Sequence, residues 1–216
     1  MKIDFFTTSI NSPNILEKTY LNLQKHIKNC NLKECTLYLN IDPHPNNNNI
    51  LKLEIIAKKF FGDVVINLPN KCNFTKAVNW CVSQIKTDVC FDLQCGKDII
   101  KDFDIKKMYK DLINDNDAIQ VSIRQAYSEK NSIYNHFLCE GAVLWKTGWI
   151  KKMYKLFPST IINSEYAFRE IALLDKKKSR KYSVSEFNFI SLDYIGRIYK
   201  KNNDFTFVNS STDNEI

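Results

Sequence analysis

From Ile3 to Leu93 the sequence alternates between two hydrophobic periods, and this alternation limits the folds open to it more than any other feature. Short apolar runs open at Ile3-Phe5-Phe6, Thr36–Ile41, Val64–Leu68 and Val89–Leu93, and each is brief enough to be a buried strand. Between them lie stretches with apolar residues spaced at three and four. Leu16, Tyr20, Leu23 and Ile27 mark a first helix, entered through Ser12 as N-cap and Pro13 at the first helical position. Leu51, Ile55, Ala57 and Phe60 mark a second, and Phe74, Ala77, Val78, Cys81, Val82 and Ile85 a third, with Asn73 as its N-cap. Strand, helix, strand, helix, strand, helix, strand predicts an α/β fold: a mostly parallel central sheet with helices on both faces.

The last of these units, Asn73 to Ile100, ends its strand in the polar turn Cys95-Gly96-Lys97-Asp98. Ligands of open α/β sheets sit just outside the carboxyl ends of the strands, so Gln94, Cys95, Gly96, Lys97 and Asp98 lie where chemistry is expected. Beyond Ile100 a helix is expected over Phe103–Ile113 and a strand over Ala118–Ile123. A loop over 128–135 leads to a strand within Phe137–Trp145 that carries Glu140-Gly141. Short helices over Trp149–Phe157 and Ser164–Leu174 precede an alternating segment, Tyr182–Leu192. There is no internal repeat and no linker long enough to separate domains. Residues 1–216 therefore read as one domain, with a first half over 1–100, a second over 101–200 and a frayed tail over 201–216.

Composition narrows the functional classes. A hydrophobic fraction of 44% and an aromatic fraction of 12% can bury a sizeable core, while only five Gly and five Pro exclude low-complexity character. The formal charge is +7, concentrated in runs such as Lys176-Lys177-Lys178-Ser179-Arg180-Lys181. Such runs are either solvated faces or sites for polyanions. A basic nucleic-acid-binding protein is one reading, but no nucleic-acid motif is present and aromatics are not interleaved with the lysines. Seven cysteines are scattered with no C-x-x-C pair, and His26, His44 and His136 form no ligand-spaced cluster, which argues against structural zinc. Met1 leads straight into a strand and no apolar run approaches the roughly 20 residues of a membrane span. A soluble, reduced, cytoplasmic protein is expected.

Four stretches together carry a family likeness: FFTTSINSPNILEKTYLNL, LYLNIDPHP, NFTKAVNWCVSQIKTDVCFDLQCGKDII, and HFLCEGAVLW followed by NSEYAFREI. In order and spacing the chain resembles the inverting, nucleotide-sugar-dependent glycosyltransferases of the GT-A fold, of the large family 2 type. Its compact length is similar to that of transferase domains encoded by large DNA viruses. The resemblance implies a Rossmann-like mixed sheet and a nucleoside-diphosphate sugar as donor, with Mg²⁺ or Mn²⁺ as a possible cofactor. A glycan, a protein or a lipid-linked molecule is implied as acceptor.

The resemblance also assigns residues. Thr8 lies in the loop that holds the nucleobase, and Asp42 falls where the family places an acid near base or ribose. Gln94 belongs to the metal-motif strand, Lys76 and Lys97 are candidate diphosphate contacts, and Arg197 is a further one. Glu165, on the late acidic helix, is the candidate general base. Glu140, whose neighbours Leu138, Ala142 and Leu144 suggest burial, is the second catalytic candidate. The chain departs from the pattern at one point: where the family has an aspartate of the metal motif it has Gly96, followed by Lys97. A divalent ion needs hard anionic oxygens. Either Asp98 or Asp92 supplies the carboxylate, or Lys97 replaces the metal as a fixed cation, or the site has decayed to a sugar-nucleotide or glycan-binding module without turnover.

Overall fold

A computed structural model describes residues 2–9, 11–44, 49–99, 101–116, 118–123 and 142–156, and the backbone of four later strands within 178–207. The loop expected over 128–135, Glu140, and the helix expected over Ser164–Leu174 with Glu165 lie outside the described residues.

The chain opens with β1 (Asp4–Ser9) and α1 (Pro13–His26). Ser12 takes the extended N-cap conformation before Pro13, as the sequence implied, and Leu16, Tyr20 and Leu23 form the buried stripe. The short strand β2 (Ile27–Lys28) and a 3₁₀ turn at Leu32–Glu34 lead to β3 (Thr36–Ile41). Then come α2 (Ile50–Phe60), β4 (Asp63–Asn67), α3 (Phe74–Gln84) and β5 (Val89–Asp92). Asn73 caps α3 by accepting a hydrogen bond from the Lys76 N–H at 2.9 Å. Next are β6 (Lys97–Ile99), β7 (Phe103–Asp104) and α4 (Ile105–Ile113). Asp104 caps α4 by accepting from the N–H groups of Lys106 and Lys107. The chain continues with β8 (Ala118–Ser122), β9 (Val143–Lys146), α5 (Thr147–Leu156), β10 (Lys178–Lys181), β11 (Phe189–Ser191), β12 (Arg197–Tyr199) and β13 (Phe205–Phe207). Among the described residues no helix is long and apolar enough to cross a membrane.

Seven strands make one mixed sheet in the order β10-β8-β9-β5-β1-β3-β4. β5, β1, β3 and β4 are parallel neighbours, and β9 runs antiparallel to both β5 and β8. Because successive side chains of a strand point to opposite faces, the sheet carries two cores. Phe5, Leu37, Leu39 and Phe91 pack with α1, α2 and α4, while Phe6, Tyr38, Cys90 and Trp145 pack with α3 and α5. The α/β sheet with helices on both faces is thus the architecture expected.

Three local expectations are corrected. In α2 the buried stripe is Leu53, Ile56, Ala57 and Phe60, whereas Leu51 and Ile55 are 70% and 61% exposed. Ala57 and Phe60 belong to both sets, and with Phe60 meeting Tyr20 edge-on at 5.8 Å it is Leu53 and Ile56 that complete the inward face. Lys97 and Asp98 do not belong wholly to a turn: the chain enters β6 at Lys97 and pairs antiparallel with β11. Phe205–Phe207 is not a frayed end but a strand paired with Arg197–Tyr199.

Candidate functional site

Parallel strands joined by helices end at a common edge, and here the ends of β1, β3, β4 and β5 bring polar residues together. Beyond its last ladder residue β5 keeps following β1. The N–H of Leu93 donates to Phe6 O at 3.0 Å and that of Cys95 to Thr8 O at 3.2 Å, so Gln94 lies beside Thr8. On the other flank of β1 the Asp42 N–H donates to Ser9 O at 2.9 Å. Thr8, Asp42 and Gln94 therefore share one edge.

The Asp42 carboxylate, only 5% exposed, is the end of a relay across the sheet. Asn67 Nδ2 donates to Asn40 Oδ1 at 2.7 Å, and Asn40 Nδ2 donates to Asp42 Oδ1 at 3.2 Å. A buried carboxylate held by a side-chain amide, itself oriented by another, is fixed in position. Asp92 approaches from β5 on the α3 face, following Cys90 by strand alternation. The Cys81 thiol of α3 registers both acids: burial pushes its pKa well up, and the charges of Asp92 and, less, Asp42 push it further. Its S–H reaches Tyr38 O at 3.6 Å. α3 begins at the same edge because it follows β4, so its first turn, with the exposed Lys76, lies there together with the positive end of the helix dipole.

The turn after β5 is locked from below by α1. Lys97 N–H donates to Gln94 O at 3.2 Å, closing the turn. Gly96 sits at φ 90°, a conformation that favours glycine. Its N–H donates to Thr19 Oγ1 at 3.1 Å, and the Thr19 hydroxyl donates to Ile15 O at 2.8 Å. Thr19 is fully buried within the apolar stripe of α1, and that misplaced polar residue is the sequence signal that could have identified the anchor. Asn40, a lone amide in the apolar run TLYLNI, is the equivalent signal for the relay.

Of the residues singled out from sequence, Thr8, Asp42 and Gln94 share this edge, Asp92 ends β5, Lys76 lies on the first turn of α3, and Lys97 stands where the turn becomes β6. Asp98 is the central residue of β6, opposite Ile190, and Arg197 opens β12; for both only the backbone is described. Glu140 and Glu165 lie outside the described residues. Where the resemblance expects an acid of the metal motif the chain has Gly96, whose N–H is committed to Thr19, and among the described residues no three His, Cys, Asp or Glu side chains group closely enough to hold a metal.

No family model and no curated protein matches this sequence. Solved structures do match it. TarS of S. aureus superposes with a TM-score of 0.66 at 11% identity, over 89% of this chain and 37% of that one. TarS residues 1–349 in complex with UDP-GlcNAc gives a TM-score of 0.65 at 12% identity, over 91% of this chain and 60% of that one. The mannosyltransferase PcManGT of Pyrobaculum calidifontis, in complex with GDP-Man and Mn²⁺, gives 0.63 at 7% identity, over 89% and 56%. The chain thus spans 37% to 60% of the length of these transferases. The sheet order, the helices on both faces and these superpositions give the chain a GT-A-like α/β fold.

Proposed function

We propose that the chain is a glycosyltransferase that moves a sugar from a nucleoside-diphosphate sugar to an acceptor hydroxyl with inversion. The observation that carries the reading is the convergence of Thr8, Asp42 and Gln94 on the carboxyl edge, with Asp42 fixed by the Asn40–Asn67 relay. A preset carboxylate at that edge suits the hydroxyls of a ribose or the donors of a base. TarS has been solved with UDP and with UDP-GlcNAc, and PcManGT with GDP-Man. A uridine or guanosine diphosphate sugar is accordingly the donor class proposed.

In this scheme Lys76, Lys97 and Arg197 are the assigned diphosphate contacts, and Lys97 offsets the charge that grows on the diphosphate as the sugar leaves. Metal therefore contributes little to binding. Glu165 takes the proton from the acceptor hydroxyl, whose oxygen attacks the anomeric carbon on the side opposite the leaving group, so that the configuration inverts. Glu140, the second catalytic candidate, is assigned to the acceptor by the resemblance. Six free thiols among the described residues support a reducing compartment such as the cytoplasm.

Two experiments test this. Calorimetric titration with uridine and guanosine diphosphates, with and without Mn²⁺, is expected to show one of them binding with less than about a tenfold effect of metal, and Lys97→Ala weakening it by about tenfold or more. Strong tightening by Mn²⁺ with little effect of Lys97→Ala would replace Lys97 by a metal site using Asp98 or Asp92. Glu165→Gln keeps the shape and removes the base, and is expected to lower turnover by about 10²–10⁴ while nucleotide affinity holds. Gly96 in place of an acid favours a second reading, a binding module without catalysis. Tight nucleotide-sugar binding with no release of nucleoside diphosphate across a panel of acceptors would select it.

A further inference from the structure

The opposite, amino edge of the sheet carries a second constellation that the transferase reading does not use. Asn29 takes a left-handed backbone conformation, φ 61°, after β2, and its Nδ2 donates to Asp104 Oδ2 at 2.7 Å. The turn it starts brings Cys30 back over the 3₁₀ segment Leu32–Glu34 to Cys35, the residue before β3. The two sulfurs are 3.7 Å apart. A cavity of about 270 Å³ opens beside them, lined by Lys2, Ile3, Asn29, Glu34 and Lys106 as well as both cysteines.

We propose that Cys30 and Cys35 are a redox-active dithiol that reacts with small disulfides entering this cavity and closes to an internal disulfide. Sulfurs in a disulfide are about 2.05 Å apart, and the two Sγ atoms are already close enough that only a short approach remains. The cavity gives a half-buried thiol access to a small oxidant. The Lys2 and Lys106 ammonium groups attract an anionic one, with Glu34 as the opposing charge.

The roles of the two thiols differ. The Cys35 S–H reaches Asn31 O at 3.4 Å. The contact between the two thiols holds the Cys30 pKa below its usual value, against burial and the Glu34 charge, and the same contact and burial push Cys35 up. Cys30 is also the less buried of the two, and it is therefore the attacking thiolate. It displaces one sulfur of the external disulfide as a thiolate and forms a mixed disulfide. Cys35 then loses its proton to solvent and attacks Cys30 Sγ, releasing the second thiolate. In total two protein thiols are oxidised to one disulfide, and one external disulfide is reduced to two thiols.

Trypsin supplies the readout, because Lys28, Lys33 and Lys52 place the cysteines on separate peptides, 29–33 and 34–52. The full chain is exposed to glutathione disulfide, its remaining thiols are blocked under denaturing conditions, and it is digested without reductant. The linked pair 29–33 with 34–52 is expected as the first disulfide product, forming about tenfold faster than any adduct at the other five cysteines. Cys35→Ser is expected to stop at a glutathione adduct on Cys30, and Cys30→Ser to slow the reaction of Cys35 by about tenfold or more. The oxidised chain should melt roughly 4–8 °C higher than the reduced one. Absence of the linked pair, or equal reaction at all cysteines, overturns the proposal. So does equal reactivity of the two serine variants. If either variant fails to fold, the peptide map of the wild-type chain still decides.

Discussion

The two edges of the central sheet bury polar groups for different ends. At the amino edge, Asp4 Oδ2 accepts the N–H groups of Lys86 and Thr87 at 2.8 and 3.3 Å, while the Asp4 N–H donates to Thr87 Oγ1. Thr87 Oγ1 in turn donates to Val89 O, and Lys151 Nζ to Ile85 O. Each of these bonds satisfies a main-chain group, in the turn between α3 and β5 or in the strand ends beside it, where the helix has ended and its last carbonyls need partners. At the carboxyl edge a relay runs from side chain to side chain, Asn67 to Asn40 to Asp42. A carboxylate held by one amide that is itself oriented by another is set in position at the edge where ligands of α/β sheets bind.

The largest expected effect breaks the amino edge. Asp4→Ala leaves two main-chain donors at a mostly buried site without their acceptor, and should cost roughly 3 kcal/mol in urea unfolding. Affinity for a nucleoside diphosphate should stay within about twofold, because the site is at the far end of the strand. An Asp4→Ala protein that keeps its stability but loses nucleotide binding would reverse the division of labour drawn here.

Gly96→Asp comes next and acts on the other edge. It puts an acid back at the position where the family likeness calls for one, but at φ 90°, where a side chain is strained by about 1–3 kcal/mol. The Gly96 N–H is also tied to Thr19, so the turn cannot relax without breaking that bond. The expectation is a destabilised protein that binds nucleoside diphosphate more weakly and gains no dependence on Mn²⁺. A variant that keeps wild-type stability and acquires metal-dependent binding would show that the turn is an ordinary acidic motif with one residue changed.

This position marks the boundary of what the sequence could reveal. The strands β1, β3, β4 and β5 were legible because each is a short apolar run followed by a polar break, and their order alone predicts that Thr8, Asp42 and Gln94 fall at one edge. Gly96 reads in sequence as a lost carboxylate. Only its backbone angle and its bond to Thr19, 77 residues away, show a turn that requires glycine. β6 escaped notice for the same reason. Three residues, Lys97–Ile99, have no strand pattern of their own and are paired by β11, some ninety positions later. The exposed Leu51 and Ile55 of α2 show the complementary failure, in which local spacing offers two stripes and the neighbours' rings choose between them.

The smallest effect concerns an exposed ion pair at the amino edge and sharpens the contrast between buried and surface charges there. Asp102 Oδ1 lies 2.9 Å from His26 Nδ1 and its Oδ2 lies 3.2 Å from Lys28 Nζ, with the Asp102 side chain 61% exposed. The hydrogen bond to His26, and then that to Lys28, hold its pKa below the usual 3.8. A carboxylate whose pKa is lower folded than unfolded adds stability above its unfolded value and loses it as pH falls through the folded one. The contribution is therefore fully present at pH 5–6 and fades below about pH 3.8. Solvent and salt screen such a pair, so Asp102→Asn should lower the melting temperature by at most about 2 °C at pH 5.5. That gap should shrink toward pH 3 and in 1 M salt. Thermal melts of wild type and Asp102→Asn across this range measure it. A gap that stays constant from pH 5.5 to pH 3 would mean that Asp102 acts through the shape of the turn before β7 and not through its charge.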